Sequence, residues 1–189
     1  KELSKELWPL VDKPLIHHIL EGLREAGIEQ IIFVLSPNKK QVLDYLKKRD
    51  LAAEKILEKR GKEQALLELK NLYELQKNFS ISYVLQKKPL GNGHAVLQAQ
   101  DKVGNEPFLV VFPDDIIDSE TPSFVQLLKV FKTCQRPVVA LYRVPQERVS
   151  YYGIVQVEKI ASRFFKLKKI VEKPMLKEAP SDLAVVGHY

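Results

Sequence analysis

Pro107-Phe108-Leu109-Val110-Val111-Phe112-Pro113-Asp114-Asp115 decides how this chain is read. Phe108 to Phe112 are consecutive apolar residues rich in Val and Phe, stopped by a proline and two carboxylates. That is the pattern of a strand buried on both faces and central in a parallel sheet. Ligands of open α/β sheets collect beyond the carboxyl ends of such strands, where Asp114 and Asp115 fall. A carboxylate there suits a hard cation or the surroundings of a phosphate. Pro-Asp-Asp is equally good turn chemistry, so the motif alone leaves both readings open.

Working outward, the first thirteen residues are irregular. Pro14 suits the first position of a helix, and Leu15, Ile16, Ile19, Leu20, Leu23 and Ala26 share its apolar face until Gly27 stops it. His17 and His18 are adjacent and cannot share a face, which points to surface or half-buried histidines and not a metal pair. Ile28 to Leu35 reads as a second buried strand, followed by Ser36-Pro37-Asn38 and a helix through about Lys48. Residues 51–77 are charged and Leu-rich without β-branched runs, a helical insertion expected to pack on its own domain. Ser80 to Leu85 alternates as a strand, and the loop Gln86 to His94 leads into a helix from about Ala95 to Gln100. A glycine-bearing loop between strand and helix lets backbone N–H groups approach an anion, although most such loops merely turn. A helix over Pro122 to Lys132, a strand over Pro137 to Val144 and β-segments at 151–155, 163–171 and 183–186 complete the order. Alternating strands and helices predict right-handed crossovers in a three-layer α/β/α sandwich with a mostly parallel, Rossmann-like sheet. One domain over 1–189 is expected.

Composition narrows the class. The 45% hydrophobic and 29% charged content is that of a soluble globular protein, and no apolar run approaches a membrane span. No secretory leader is visible in these residues, and the single Cys134 suits a reducing cytoplasm. The net charge of +6 is compatible with anionic small substrates or nucleic acid. Residues 163–177 carry six bases against Glu172 alone, a strip able to face phosphate, but with few interleaved aromatics for a nucleic-acid groove. Residues 54–77 balance six bases with five acids, as a solvated face does.

Taken together in order, six stretches make the chain recognisable. Lys5-Glu6-Leu7-Trp8-Pro9-Leu10-Val11-Asp12-Lys13-Pro14 is similar to P-K-E-M-L-P-I-V-D-K-P, and Gln86 through Ala95 to Q-K-x-P-L-G-x-G-H-A. Tyr152-Gly153-Ile154-Val155 and Val171-Glu172-Lys173-Pro174 follow, and Ser181 through Tyr189 resembles S-N-L-A-I-V-G-R-Y. With Pro113-Asp114-Asp115 between them, the chain resembles the bacterial UTP–glucose-1-phosphate uridylyltransferases, a family of sugar-phosphate nucleotidyltransferases with a nucleotide-diphospho-sugar transferase fold. The resemblance implies that UTP and glucose-1-phosphate give UDP-glucose and pyrophosphate by Mg²⁺-dependent in-line attack on the α-phosphorus. It implies Lys5, Asp114 and Lys173 as catalytic, with Asp114 on the metal. It places Lys5, Gln86, Gly91 and His94 at the nucleotide, and Gly153, Glu172, Lys173 and Gly187 at the sugar phosphate. A cytoplasmic homo-oligomer, with no nucleic-acid or membrane partner, is the further implication.

Departures qualify this. The family's strand and G-x-G-T-R loop would precede Lys1, and its tail with a second metal aspartate would follow Tyr189, so a fragment with an exposed strand edge is expected. Asp182 stands where the family has Asn, and Ser4 and Trp8 also differ. Three alternatives stay open: transfer from dTTP or to another sugar phosphate, a non-catalytic nucleotide-sugar-binding protein, and a nucleic-acid module.

Overall fold

A computed structural model describes residues 3–37, 39, 41–47 and 49–189. They divide into two compact units, Lys1–Leu109 with Ile116–Val125, and Val110–Asp115 with Gln126–Tyr189.

The first unit opens with a 3₁₀ turn, Lys5–Leu7, and two short antiparallel strands, β1 (Pro9–Leu10) and β2 (Lys13–Pro14). Pro14 is extended because it pairs with Pro9, so the helix expected to begin there starts one residue later, as α1 (Leu15–Glu25). Ile16, Ile19, Leu20 and Leu23 are buried, the i, i+3, i+4, i+7 stripe of a core-facing helix. Gly27 ends it with φ +76°. Its N–H donates to Arg24 O and that of Ile28 to Leu23 O, two of the carbonyls a helix end otherwise leaves orphaned. His17 is buried on this stripe and lies 3.5 Å from Glu21, a deeper position than the sequence suggests. Burial holds its imidazole below the usual histidine range, against the pull of Glu21.

Strand β3 (Gln30–Leu35) is followed by α2 (Gln41–Lys47), α3 (Leu51–Lys59) and α4 (Glu63–Lys77) before β4 (Ser80–Leu85) pairs with it in parallel along all six residues. Val42 and Leu46 of α2 and Leu72 and Leu75 of α4 are buried in the unit's core, and Tyr73 Oη accepts from Asp50 N–H at 2.7 Å. Asp50 also caps α3, and Arg49 grips Glu54 with two bonds of 2.6 and 2.8 Å. The loop residue Asn38 and the expected helix end at Lys48 lie outside the described residues. After β4 come α5 (Asn92–Leu97) and α6 (Gln100–Val103). One helix was expected from Ala95 to Gln100; the chain instead helicates from the Gly91 turn and breaks at Gln98–Ala99.

Helix α7 (Ser123–Cys134) leads to the second unit's sheet of β5 (Leu141–Arg143), β6 (Gly153–Ala161), β7 (Phe164–Glu172) and β8 (Leu183–Val185), in the order β5-β8-β6-β7 and antiparallel throughout. Val144, Val149, Ile154 and Ala184 form its core cluster. The expected strand over Pro137 to Val144 is reduced to β5. The stretch Phe108 to Phe112 is corrected more sharply. It forms one antiparallel bridge, Val111 to His188, in place of a long buried strand, and Phe108 is exposed. Val110 and Tyr189 exchange both backbone hydrogen bonds, at 2.6 and 3.1 Å, and Phe112 N–H donates to Gly187 O. A central strand needs hydrogen-bonded neighbours along both edges, and among the described residues the pairing comes from 187–189 on one edge. The fold is α/β, with its parallel pairing in β3 and β4.

Candidate functional site

In the first unit, Lys5 is half-buried on its 3₁₀ turn. Ser4, just before it, donates its N–H to Gln41 Oε1 at 3.1 Å and its hydroxyl to Glu6, which also lies 3.4 Å from Lys39 Nζ. Burial pushes the Glu6 carboxyl up, but hydrogen bonds from Ser4, its own backbone and Lys39 outweigh it and hold it below the usual range. Ser4 is thus the residue that pins the Lys5 turn to α2.

Gln86 prolongs the parallel ladder, donating its N–H to Leu35 O at 2.8 Å, so it stands at the carboxyl end of β4. The chain then turns through Gly91 at φ 98°, ψ 176°, a conformation essentially confined to glycine. Gln86 Nε2 reaches Gly91 O at 3.2 Å and His94 Nδ1 at 3.0 Å. Both amide protons are therefore engaged, and Oε1 has no partner among the described residues. A glutamine expected to donate and accept toward a ligand keeps only its acceptor for it. Helix α5 has six residues, so the dipole expected to favour an anion at its start is small.

In the second unit, Pro113 and Asp114 form a turn closed by Asp115 N–H on Phe112 O at 3.2 Å. The turn reading and the carboxylate reading of this motif are both satisfied: Asp114 is exposed on the turn, while Asp115 accepts the Gly187 N–H at 2.7 Å. Gly187 is buried, and a Cβ there would lie 2.5 Å from the Phe112 ring. The glycine is required by that close approach. Tyr189 meets the same ring edge-on at 5.8 Å. His188 is buried between them in sequence; its burial depresses the imidazole below the usual range, and the Asp115 backbone and charge oppose the shift.

Gly153 and Glu172 face each other across β6 and β7, and a Cβ on Gly153 would sit 3.1 Å from Glu172 Oε2. Lys173 follows with φ 45°, uncommon for a residue with a side chain, and its N–H donates to Tyr152 O at 3.0 Å. That twist turns the lysine out of the strand. The Glu172–Lys173 pair is 3.9 Å apart and largely exposed, so its mutual attraction is weak and both charges remain presentable to a ligand. Asp182, in the position where the resembled family has Asn, pairs with Arg143 on β5.

The structure thus ties Gln86 to Gly91 and His94 directly, sets Gly153 against Glu172 and Lys173, and buries Gly187 behind Asp115. Lys5 and Asp114 each stand on a separate turn. Among the described residues no three His, Cys, Asp or Glu side chains converge as a metal cluster. The sequence places Asp115 beside Asp114 at the strand end and Phe112 within the strand, but offers no signal for Gln98 or Arg143. Phe112 and Arg143 act through partners distant in sequence, Gly187 and Asp182, while Gln98 faces His94 one helical turn before it.

Comparison with known proteins extends these local likenesses. The chain is 40% identical over all 189 residues to the UTP–glucose-1-phosphate uridylyltransferase YngB of Bacillus subtilis, and spans 62% of that relative's length. It is similar to a solved UTP-bound UGPase from Acinetobacter baumannii, with a TM-score of 0.86 and 34% identity over 99% of this chain and 66% of that one. A UDP-glucose pyrophosphorylase solved in complex with UDP-glucose gives a TM-score of 0.83 and 35% identity over 97% of this chain and 66% of that one. Less than two thirds of each relative is therefore represented. The sequence pattern described as nucleotidyl transferase matches residues 1–189, and the chain belongs to the nucleotidyl transferase family.

Proposed function

We propose that the protein carrying this chain is a UTP–glucose-1-phosphate uridylyltransferase, joining the two substrates into UDP-glucose with release of pyrophosphate. The observation that carries this reading is the Gln86 amide. With its NH₂ engaged by Gly91 O and His94, it offers Oε1 alone, and an outward acceptor calls for a base with an imide N–H. Uracil N3–H meets that need. The Gly91 N–H, on an exposed turn, is suited to donate to a neighbouring base carbonyl. The likeness to a UTP-bound and a UDP-glucose-bound protein supports the same assignment.

The remaining roles follow from side-chain chemistry. Lys5 is a point charge for the nucleotide phosphates, and Lys173, turned out after β7, one for the sugar phosphate. Glu172 accepts sugar hydroxyls, while Gly153 and Gly187 permit close backbone approach. No covalent nucleophile is needed, because transfer to phosphorus is served by positioning and charge stabilisation. The donor chemistry fits Mg²⁺: Asp114 is an exposed carboxylate, a hard oxygen ligand, on its turn, and Mg²⁺ commonly takes one or two carboxylates plus substrate phosphates. When bound there, the cation would offset phosphate charge.

The test is pyrophosphate release by the full-length protein given UTP and glucose-1-phosphate with Mg²⁺. Asp114→Ala should lower the rate by about a hundredfold or more with the circular dichroism unchanged. Near-normal turnover in that variant refutes the metal role. Binding of UDP-glucose without any pyrophosphate release in the wild type would replace transfer by a non-catalytic binding function. Thymine shares the N3–H donor, so the relative rates with UTP and dTTP decide between these nucleotides.

A further inference from the structure

One backbone carbonyl fixes a chain of three side chains beside the Gly91 turn. Gly91 O can only accept, so the Gln86 group 3.2 Å away is its NH₂ and not its carbonyl. The same NH₂ lies 3.0 Å from His94 Nδ1, and a proton aimed at that nitrogen requires a lone pair on it. Neutral His94 then carries its proton on Nε2. That nitrogen faces the Gln98 amide at 3.4 Å. The Gln98 atom placed there is Nε2, and a flip of its amide would set Oε1 opposite the Nε2 proton of His94. Donor and acceptor directions are thereby set from Gly91 O through Gln86 to His94.

We propose that His94 is a positioning residue for base selection: its Nδ1 lone pair, together with Gly91 O, locks the Gln86 amide with Oε1 outward, so that bases with an N3–H are taken and cytosine is refused. Turning the Gln86 amide over would set its oxygen against two acceptors, Gly91 O and Nδ1. The side chain therefore cannot adapt to cytosine, whose N3 is itself an acceptor. His94 acts through Gln86 and needs no contact with the base. This rests on the uridylyl-transfer reading for its substrate, but the orientation of the amide and imidazole is a property of the chain itself.

The experiment compares UTP with CTP in the full-length protein, using kcat/KM with glucose-1-phosphate as acceptor. His94→Phe removes the lone pair and should lower the UTP-over-CTP ratio by about tenfold, chiefly through a raised KM for UTP. His94→Asn places an amide oxygen able to accept where Nδ1 did, and should hold the ratio within about threefold of the wild type. An unchanged ratio in His94→Phe overturns the proposal, and so does His94→Asn falling as far as His94→Phe. A second readout needs no nucleotide: imidazole ¹⁵N shifts of the wild type should report a hydrogen-bonded, unprotonated Nδ1 with the proton on Nε2. The opposite tautomer overturns the proposal even if a variant fails to fold. A wild type that makes no UDP-glucose sinks the transferase reading alone, and the imidazole spectrum then decides the positioning claim.

Discussion

Two glycines, one in each unit, are needed for opposite reasons. Gly91 turns the chain at φ 98°, and nothing lies within 4 Å of where its Cβ would be. Gly187 has no such backbone constraint, but its Cβ position is already filled by the Phe112 ring at 2.5 Å. The surroundings differ in the same way. The Gly91 loop is organised by side-chain amides and an imidazole over an exposed turn, whereas Gly187 is buried, bonded to Asp115 and enclosed by Phe112 and Tyr189. A glycine that permits a conformation and one that permits an approach fail differently when changed. The first should disturb binding, and the second the folded state.

The strongest way to break this comparison is Gly187→Ala. Overpacking against Phe112 should cost about 3 kcal/mol, read as a lowered urea midpoint. Adding Phe112→Leu should recover part of the loss, and purely additive effects would show that the ring is not the obstacle. Next in size is Asp115→Ala, which strands the Gly187 N–H and should destabilise by about 2 kcal/mol, with Asp115→Asn losing less because its carbonyl still accepts. Equal losses in the two variants would remove the hydrogen bond as the cause. Gly91→Ala sharpens the contrast from the other side. The exposed turn can relax away from φ 98° in the free protein, so the strain of about 1–2 kcal/mol is met on binding and should appear as UTP binding weakened by about tenfold, with the melting temperature nearly unmoved. A large fall in melting temperature there would erase the distinction between the two glycines.

The smallest effect is that of pH. Burial depresses the His188 imidazole, so the unfolded chain binds its proton more readily than the folded one does. Its contribution to stability is complete above the ordinary histidine value of about 6.5 and is lost as pH falls below it toward the depressed folded value. His17 in the other unit is depressed in the same direction, so the two add in the wild type. His188→Gln should flatten the decline of melting temperature between neutral and mildly acidic pH. Asp115→Asn should steepen it, because the Asp115 charge opposes the depression. A slope unaffected by either variant would assign the acid sensitivity to groups outside this cluster.

How far these features are legible in the sequence varies with the range of the interactions behind them. The α1 stripe and its Gly27 stop, the buried run of β3, the alternation of β4 and the helical character of 51–77 are written in periodicity and in single punctuating residues. Local sterics and amphipathic spacing suffice for those. The motifs Gln86 to His94, Pro113 to Asp115, Glu172-Lys173 and Gly187 also stood out as residues, each at the end of an element. Only the tertiary structure decided what they face. Phe108 to Phe112 reads as a long buried strand, yet its pairing depends on residues 187–189, and a run of apolar residues carries no record of its partners. The Gln86 amide is equally able to donate or accept until Gly91 O and His94 take its protons. Asp182 reads as an unexplained replacement until Arg143 is found beside it. Which positions are apolar, charged or free of a side chain, and hence the local elements, follows from the residues taken one by one. Direction of hydrogen bonds, occupancy of space and choice of strand partner were settled only by folding, because each is a property of two groups brought together and not of either alone.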